Sequence, residues 1–173
     1  MKRLLLIILT LAICIPAFTG CGSDIPDAPV DLEVTFSESL TSFPKNPPVL
    51  FVRDGETRIK AWRGTSSWIV EGEDGISNGI NSDSPHPLDC KDILPVIEFS
   101  WKTTLTLSFE GAPVRITVKQ YPADASGYDD YKEIKVNKST VEVKAGNYIY
   151  EVITTWYGEK YSGTVYYAFR TEK

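Results

Sequence analysis

The chain has one histidine, His86, held between Pro85 and Pro87. A histidine activates a nucleophile only with a hydroxyl or thiol in reach and a third group to orient it. Ser84 is two residues away and carboxylates are near, but neighbours in sequence rarely take up triad geometry. No Gly-x-Ser-x-Gly elbow is present. The plainer expectation is a rigid corner in which the His86 imidazole caps a backbone group. Asp129 and Asp130 lie between Tyr128 and Tyr131 in a polar turn, which fits a solvated loop better than an acid–base pair. The sequence has no glycine-rich phosphate loop and no His-rich metal set. These residues together predict a protein that is not an enzyme.

Two stretches carry binding chemistry instead. Residues 71–83 place Glu71, Glu73, Asp74 and Asp83 among glycines and asparagines. Oxygen ligands on a loop suit Ca²⁺, yet the spacing fits neither the EF-hand pattern nor the Gly-Asp nonapeptide repeat. A Ca²⁺ site therefore stands beside the plainer expectation of an exposed polar loop, and no other cofactor is expected. Trp62 and Trp68 flank residues 63–67. Exposed tryptophans stack on sugars while Asp and Asn bond the hydroxyls. Trp62 falls opposite Ala61 in the alternation, which puts it on an outer face. Trp62, Trp68, Asp83 and His86 form the candidate ligand-binding edge, because unusual side chains on loops cluster there.

The chain start addresses location. Lys2 and Arg3 precede an apolar run over residues 4–16, which is too short for an ordinary membrane span and reads as an export leader. Phe18-Thr19-Gly20-Cys21 resembles a bacterial lipobox, with Phe where Leu is usual. The resemblance implies removal of residues 1–20, a diacylglyceryl thioether on Cys21, and a lipid-anchored protein on the extracytoplasmic face of the cell membrane. Two acyl chains anchor firmly, since each buried CH₂ contributes about 0.8 kcal/mol. The alternative is a soluble secreted protein cut nearby. Cys14 leaves with the leader, so Cys90 has no partner, and neither a disulfide framework nor a CxxC motif exists. Cys90 is expected as a small hydrophobe or a half-exposed thiol. Asp89 and Asp92 would raise its pKa rather than lower it.

The remaining residues must build the scaffold. The 173-residue chain is 42% hydrophobic and 24% charged, a globular composition. Its net charge of −5 and lack of a basic run exclude nucleic acid as a partner. Residues 21–47, with several prolines and few large apolar side chains, read as the lipidated cysteine and a tether. Alternation at residues 32–36 allows an edge strand there. A single domain is expected over residues 48–173, where the hydrophobic period is two. Leu105, Leu107 and Phe109 alternate with Thr106 and Ser108, while Val165, Tyr167 and Phe169 form an inner face. Asp54-Gly55 signals a hairpin. The strand over residues 148–156 has apolar side chains on both faces around Glu151. Residues 87–94 offer at most two helical turns. About nine to ten strands with polar turns predict an all-β, antiparallel two-sheet sandwich of immunoglobulin or fibronectin-III type. Trp101 and the tyrosine-rich last hairpin are expected to fill its core.

Two blocks of residues resemble a known module. The first runs Gly64-Thr65-Ser66-Ser67-Trp68, then Glu73-Asp74-Gly75, then Asp83-Ser84-Pro85-His86-Pro87-Leu88. The second runs Gly146-Asn147-Tyr148-Ile149-Tyr150-Glu151-Val152, then Trp156, then Gly163-Thr164-Val165-Tyr166-Tyr167-Ala168-Phe169. The pattern is similar to small uncharacterised lipoproteins of Gram-positive bacteria. It is also similar to the extracytoplasmic C-terminal region of some BlaR1-like membrane proteins, which carry a peptidase domain. The resemblance covers about residues 48–171 and assigns no chemistry to any residue. This sequence has no His-Glu-x-x-His segment, so the peptidase does not come with it. The resemblance implies an extracytoplasmic binding or sensing module of unknown ligand. The rival expectation is a structural lipoprotein that contacts another cell-surface protein through a sheet edge or the aromatic last hairpin.

Overall fold

Period-two patterning becomes strand nearly everywhere it occurs. The computed structural model describes residues 45–173. The leader, Cys21, most of the tether and the possible strand at 32–36 lie outside the described residues. β1 (Leu50–Asp54) turns through Gly55-Glu56 into β2 (Thr57–Lys60), and Gly55 takes the positive φ of +55° that such a two-residue hairpin demands. There follow β3 (Trp62–Glu71), β4 (Ser77–Ser82), a 3₁₀ turn at Lys91–Ile93 and β5 (Val96–Glu98). The chain continues through β6 (Thr103–Phe109), β7 (Arg115–Pro122), β8 (Lys132–Ile134) and β9 (Val136–Asn137). It closes with β10 (Thr140–Val143), β11 (Tyr148–Tyr157) and β12 (Tyr161–Glu172). No described helix is long and apolar enough to cross a membrane.

These strands form two sheets. One has five strands in the order β2-β1-β6-β10-β9. The other has seven, in the order β4-β3-β12-β11-β7-β8, with β5 added to β12 as the one parallel pair. β1, β6, β10 and β9 run in the A-B-E-D order of an immunoglobulin sheet, facing β12, β11 and β7 in G-F-C order, with β8 in the C′ place. The expected sandwich is therefore the observed one, with twelve strands among the described residues rather than nine or ten. The addition comes largely from β4, in a stretch expected to be loop, and from a break between β8 and β9. In this frame the segment from β2 to β5 is an insert between the first two immunoglobulin strands.

The core lies between the sheets. Leu50, Val52, Leu105, Leu107, Val141 and Val143 face Val118, Tyr150, Val152, Val165, Tyr167 and Phe169, all essentially without solvent exposure. Trp68 meets Trp156 edge-on at 6.0 Å and stacks on Tyr161 at 5.5 Å. Buried polar side chains are mostly paired, as burial away from water requires, and among the described residues Arg170 Nε is the buried side-chain atom left without a partner. The Tyr167 hydroxyl donates to the Pro48 carbonyl at 2.7 Å, and Thr154 Oγ1 donates to the Val165 carbonyl while accepting Trp156 Nε1–H. Trp101 departs from expectation. It is 82% exposed, because it sits in the turn between β5 and β6, beyond the end of both sheets.

A bulge decides which face each insert tryptophan takes. β3 and β12 pair Arg63 with Tyr167 and Ser66 with Val165, so three steps on β3 span two on β12. The extra residue falls at Gly64-Thr65. An added residue inverts the side-chain alternation beyond it. Trp62 and Trp68, six apart and of equal parity, consequently point to opposite faces. Trp68 enters the core and Trp62 lies on the outer face of the seven-stranded sheet, packed against a second apolar cluster of Leu94, Tyr121, Ile149 and Ala168.

Candidate functional site

Residues 83–95 and 123–131 fold over that outer face, which explains why β11 is buried on both sides around Ile149–Val152 in the burial pattern. Lys119, Glu151, Ala168 and Trp62 are successive cross-strand partners on β7, β11, β12 and β3. This row of side chains crosses the sheet beneath the insert. Thr65, at the bulge, fastens the insert down. Its Oγ1 accepts the Ser84 N–H at 3.2 Å and donates to the Ser84 carbonyl at 3.4 Å.

From Ser84 the chain enters the Pro85-His86-Pro87 corner. His86 Nδ1 accepts the Leu88 backbone N–H at 3.2 Å, and the His86 carbonyl accepts from the Asp89 N–H at 2.9 Å. The imidazole stacks on Tyr128 at 4.2 Å and meets the edge of Tyr121 at 5.4 Å. The Tyr128 hydroxyl donates to Asp89 Oδ2 at 2.6 Å, tying the two covering loops together. Nδ1 is thus occupied by a donor, and in the neutral ring the other nitrogen carries the proton. The imidazole therefore has no free acceptor nitrogen with which to take a proton from a nucleophile.

Glu151 is the site's buried charge, 6% exposed. Its Oε2 accepts the Tyr121 hydroxyl at 3.3 Å and faces Lys119 Nζ at 3.5 Å. Lys119 also lies over the Tyr131 ring, 4.4 Å from its centroid. Among the described residues Oε1 has no hydrogen-bond partner. Burial and the Glu151 carboxylate push the Tyr121 hydroxyl pKa well up, so it stays a proton donor. A pocket of about 260 Å³ opens beside Glu151, walled by Trp62, Thr65, Ser84, His86 and Tyr166. Its lining combines aromatic rings with small and proline residues and one carboxylate, a suitable arrangement for holding a small molecule.

Of the four expected binding residues, the fold brings Trp62 and His86 to one pocket. Trp68 is corrected to a core residue, fully buried because of the bulge. Asp83 is exposed just past β4 and does not line the pocket. The expected calcium set is likewise corrected. Glu71, Glu73 and Asp74 stand at the β3–β4 turn, while Asp83 follows Ser82, which pairs with Ser66 at the other end of the hairpin. Ser66 and Glu71 are five strand steps apart, a distance of about 17 Å, and one ion cannot bridge it. Among the described residues no three His, Cys, Asp or Glu side chains gather to hold a metal. Cys90 is half-buried and its Sγ donates weakly to the His86 carbonyl at 3.5 Å. Burial first, then Asp89, raises its pKa.

Sequence reasoning missed Glu151, Thr65 and Tyr166. Glu151 carried a signal, as a lone charge inside the run Tyr-Ile-Tyr-Glu-Val-Ile. Thr65 and Tyr166 carried none, because their roles arise from the bulge. Comparison with protein-family models, with curated proteins and with solved structures returned no match.

Proposed function

We propose that this protein is a lipid-anchored, extracytoplasmic binding or sensing module that holds a small ligand in the pocket between β3 and the 84–87 corner. The observation that carries the reading is the convergence of Trp62, His86 and the buried Glu151 on one concavity. The residues around it are braced, not loose. Thr65 pins Ser84, a backbone N–H fixes His86, and Tyr128 joins the loops. Preorganised walls of this kind lower the ordering cost of binding. The lipobox-like Phe18-Thr19-Gly20-Cys21 supports the anchor, and the resemblance to lipoprotein modules supports the location. The engaged His86 Nδ1 supports binding rather than catalysis.

Thermal unfolding of the full chain against a panel tests this reading. The panel holds cell-wall glycan fragments, muropeptides, β-lactams, small amines and Ca²⁺. A ligand at a hundred times its Kd adds about 2.7 kcal/mol, a rise of roughly 5–10 °C at this size. The shift should vanish in the Trp62→Ala/His86→Ala double variant.

A second reading has its own support. β4 is the outer strand of its sheet, carries no charge or proline, and is exposed along its whole length. Such an edge invites strand pairing. A flat panel together with a captured cell-surface protein that is lost on Ile80→Lys substitution would favour a protein-contact lipoprotein.

A further inference from the structure

We infer that the pocket takes an organic cation, a primary ammonium on a short apolar chain, with Glu151 as its counter-ion. The inference rests on the binding reading above and names the ligand class for that same site. A buried carboxylate must be compensated by charge or strong hydrogen bonds. Glu151 is compensated only in part. A carboxylate has about four acceptor positions, and two are used here, both on Oε2. Both contacts are long, at 3.3 and 3.5 Å, against roughly 2.7–2.9 Å for a strong charge-assisted bond. Both also come from β7, on one side of β11. The pocket lies on the other side, toward β12 and β3, where no described cation meets Glu151.

The walls match the same ligand. Trp62, Tyr166 and His86 line the pocket together with Glu151. Ring faces attract a cation and also receive an alkyl chain. His86 Nδ1 is engaged as the acceptor of the Leu88 backbone N–H in the observed contact. Thr65, Ser84 and Pro85 also line the pocket and bring no positive charge to it. At about 260 Å³ the pocket is below the drug-sized range, so a single small amine fits it. An anion is better served across Trp62, where Lys60 and Arg63 line a separate depression.

The test is a backbone amide chemical-shift titration of the full chain with three four-carbon probes: n-butylammonium, n-butanol and butyrate, at constant ionic strength. The expected result is saturable movement of the Gly64, Thr65, His86 and Glu151 amides with n-butylammonium, with Kd on the order of 1 mM. Binding of n-butanol at those amides should be at least tenfold weaker, and Glu151→Gln should weaken n-butylammonium by a similar factor. The wild-type comparison of probes stands even if Glu151→Gln does not fold. Equal or tighter binding of n-butanol or butyrate in the pocket would overturn the cation assignment and leave the binding reading in place. No movement with any of the three would also overturn it, and the thermal panel then decides the binding reading separately.

Discussion

The register of β3 against β12 determines which tryptophan reaches the site, and one methyl group tests it. Gly163 lies opposite Trp68. A Cβ built on Gly163 would stand 2.2 Å from the Ser67 carbonyl oxygen, 2.8 Å from Trp68 Cε3 and 3.0 Å from Trp68 Cα. Two of these atoms are backbone and cannot swing aside, so the strands must part by about 1 Å. Overpacking of this kind costs typically 1–3 kcal/mol. Here it strikes a strand interface and a fully buried tryptophan, so Gly163→Ala should cost about 3 kcal/mol. That lowers Tm by roughly 10 °C for a domain of this size. Gly79→Ala is the control, the same chemical change in β4, where a Cβ meets nothing within 4 Å. It should be neutral or stabilising by up to about 1 kcal/mol, because alanine restricts the unfolded chain. Urea unfolding at equal protein concentration reads both. A Gly163→Ala loss below about 1 kcal/mol would refute the register, and with it the bulge that sends Trp62 and Trp68 to opposite faces.

Other outcomes follow from the same geometry. Trp68→Ala should destabilise by about 3–5 kcal/mol, whereas Trp62→Ala should cost about half as much and abolish the ligand-dependent thermal shift. Burial pushes the Tyr121 and Tyr167 hydroxyls well above their usual range and Tyr150 up to about 12. Folding therefore keeps these protons on. The stability they contribute is full below the unfolded pKa of about 10 and falls above it, by up to about 1.4 kcal/mol per pH unit for each tyrosine. Urea midpoints at about pH 9 and about pH 11 should differ sharply, with the tyrosinate absorbance of these three buried tyrosines appearing only as the chain unfolds. Cys21→Ser should move the protein from the membrane fraction to the soluble one, and a protein that stays with the membrane would count against lipidation.

Much of the fold was legible because its cause is local. Leu105, Leu107 and Phe109 alternate with hydroxyl residues and do face the core, as do Val165, Tyr167 and Phe169. Asp54-Gly55 signalled a hairpin and forms one. The opposing signals around Glu151 reflected a strand buried on both faces. What stayed hidden is nonlocal. Ser77–Ser82 has weak strand propensity and becomes β4 only because β3 offers it an edge to pair with. One extra residue at Gly64-Thr65 inverts the alternation, so a parity rule read forward from Trp62 misplaces Trp68. Trp101 is apolar, yet the turn around it ends both sheets before they can cover it. His86 was legible as a backbone-capping corner, and its Nδ1 does hold the Leu88 N–H. Its meeting with Trp62 and Glu151 needed the insert, β11 and β12 to be placed in space.

The most direct test of the account is a crystal structure of the full chain grown with n-butylammonium. The account predicts the probe beside Trp62 and His86, its nitrogen within hydrogen-bond distance of Glu151, with Lys119 still on the far side of the carboxylate. A probe bound elsewhere, or a Glu151 closed off by Lys119 with the pocket collapsed, would contradict it.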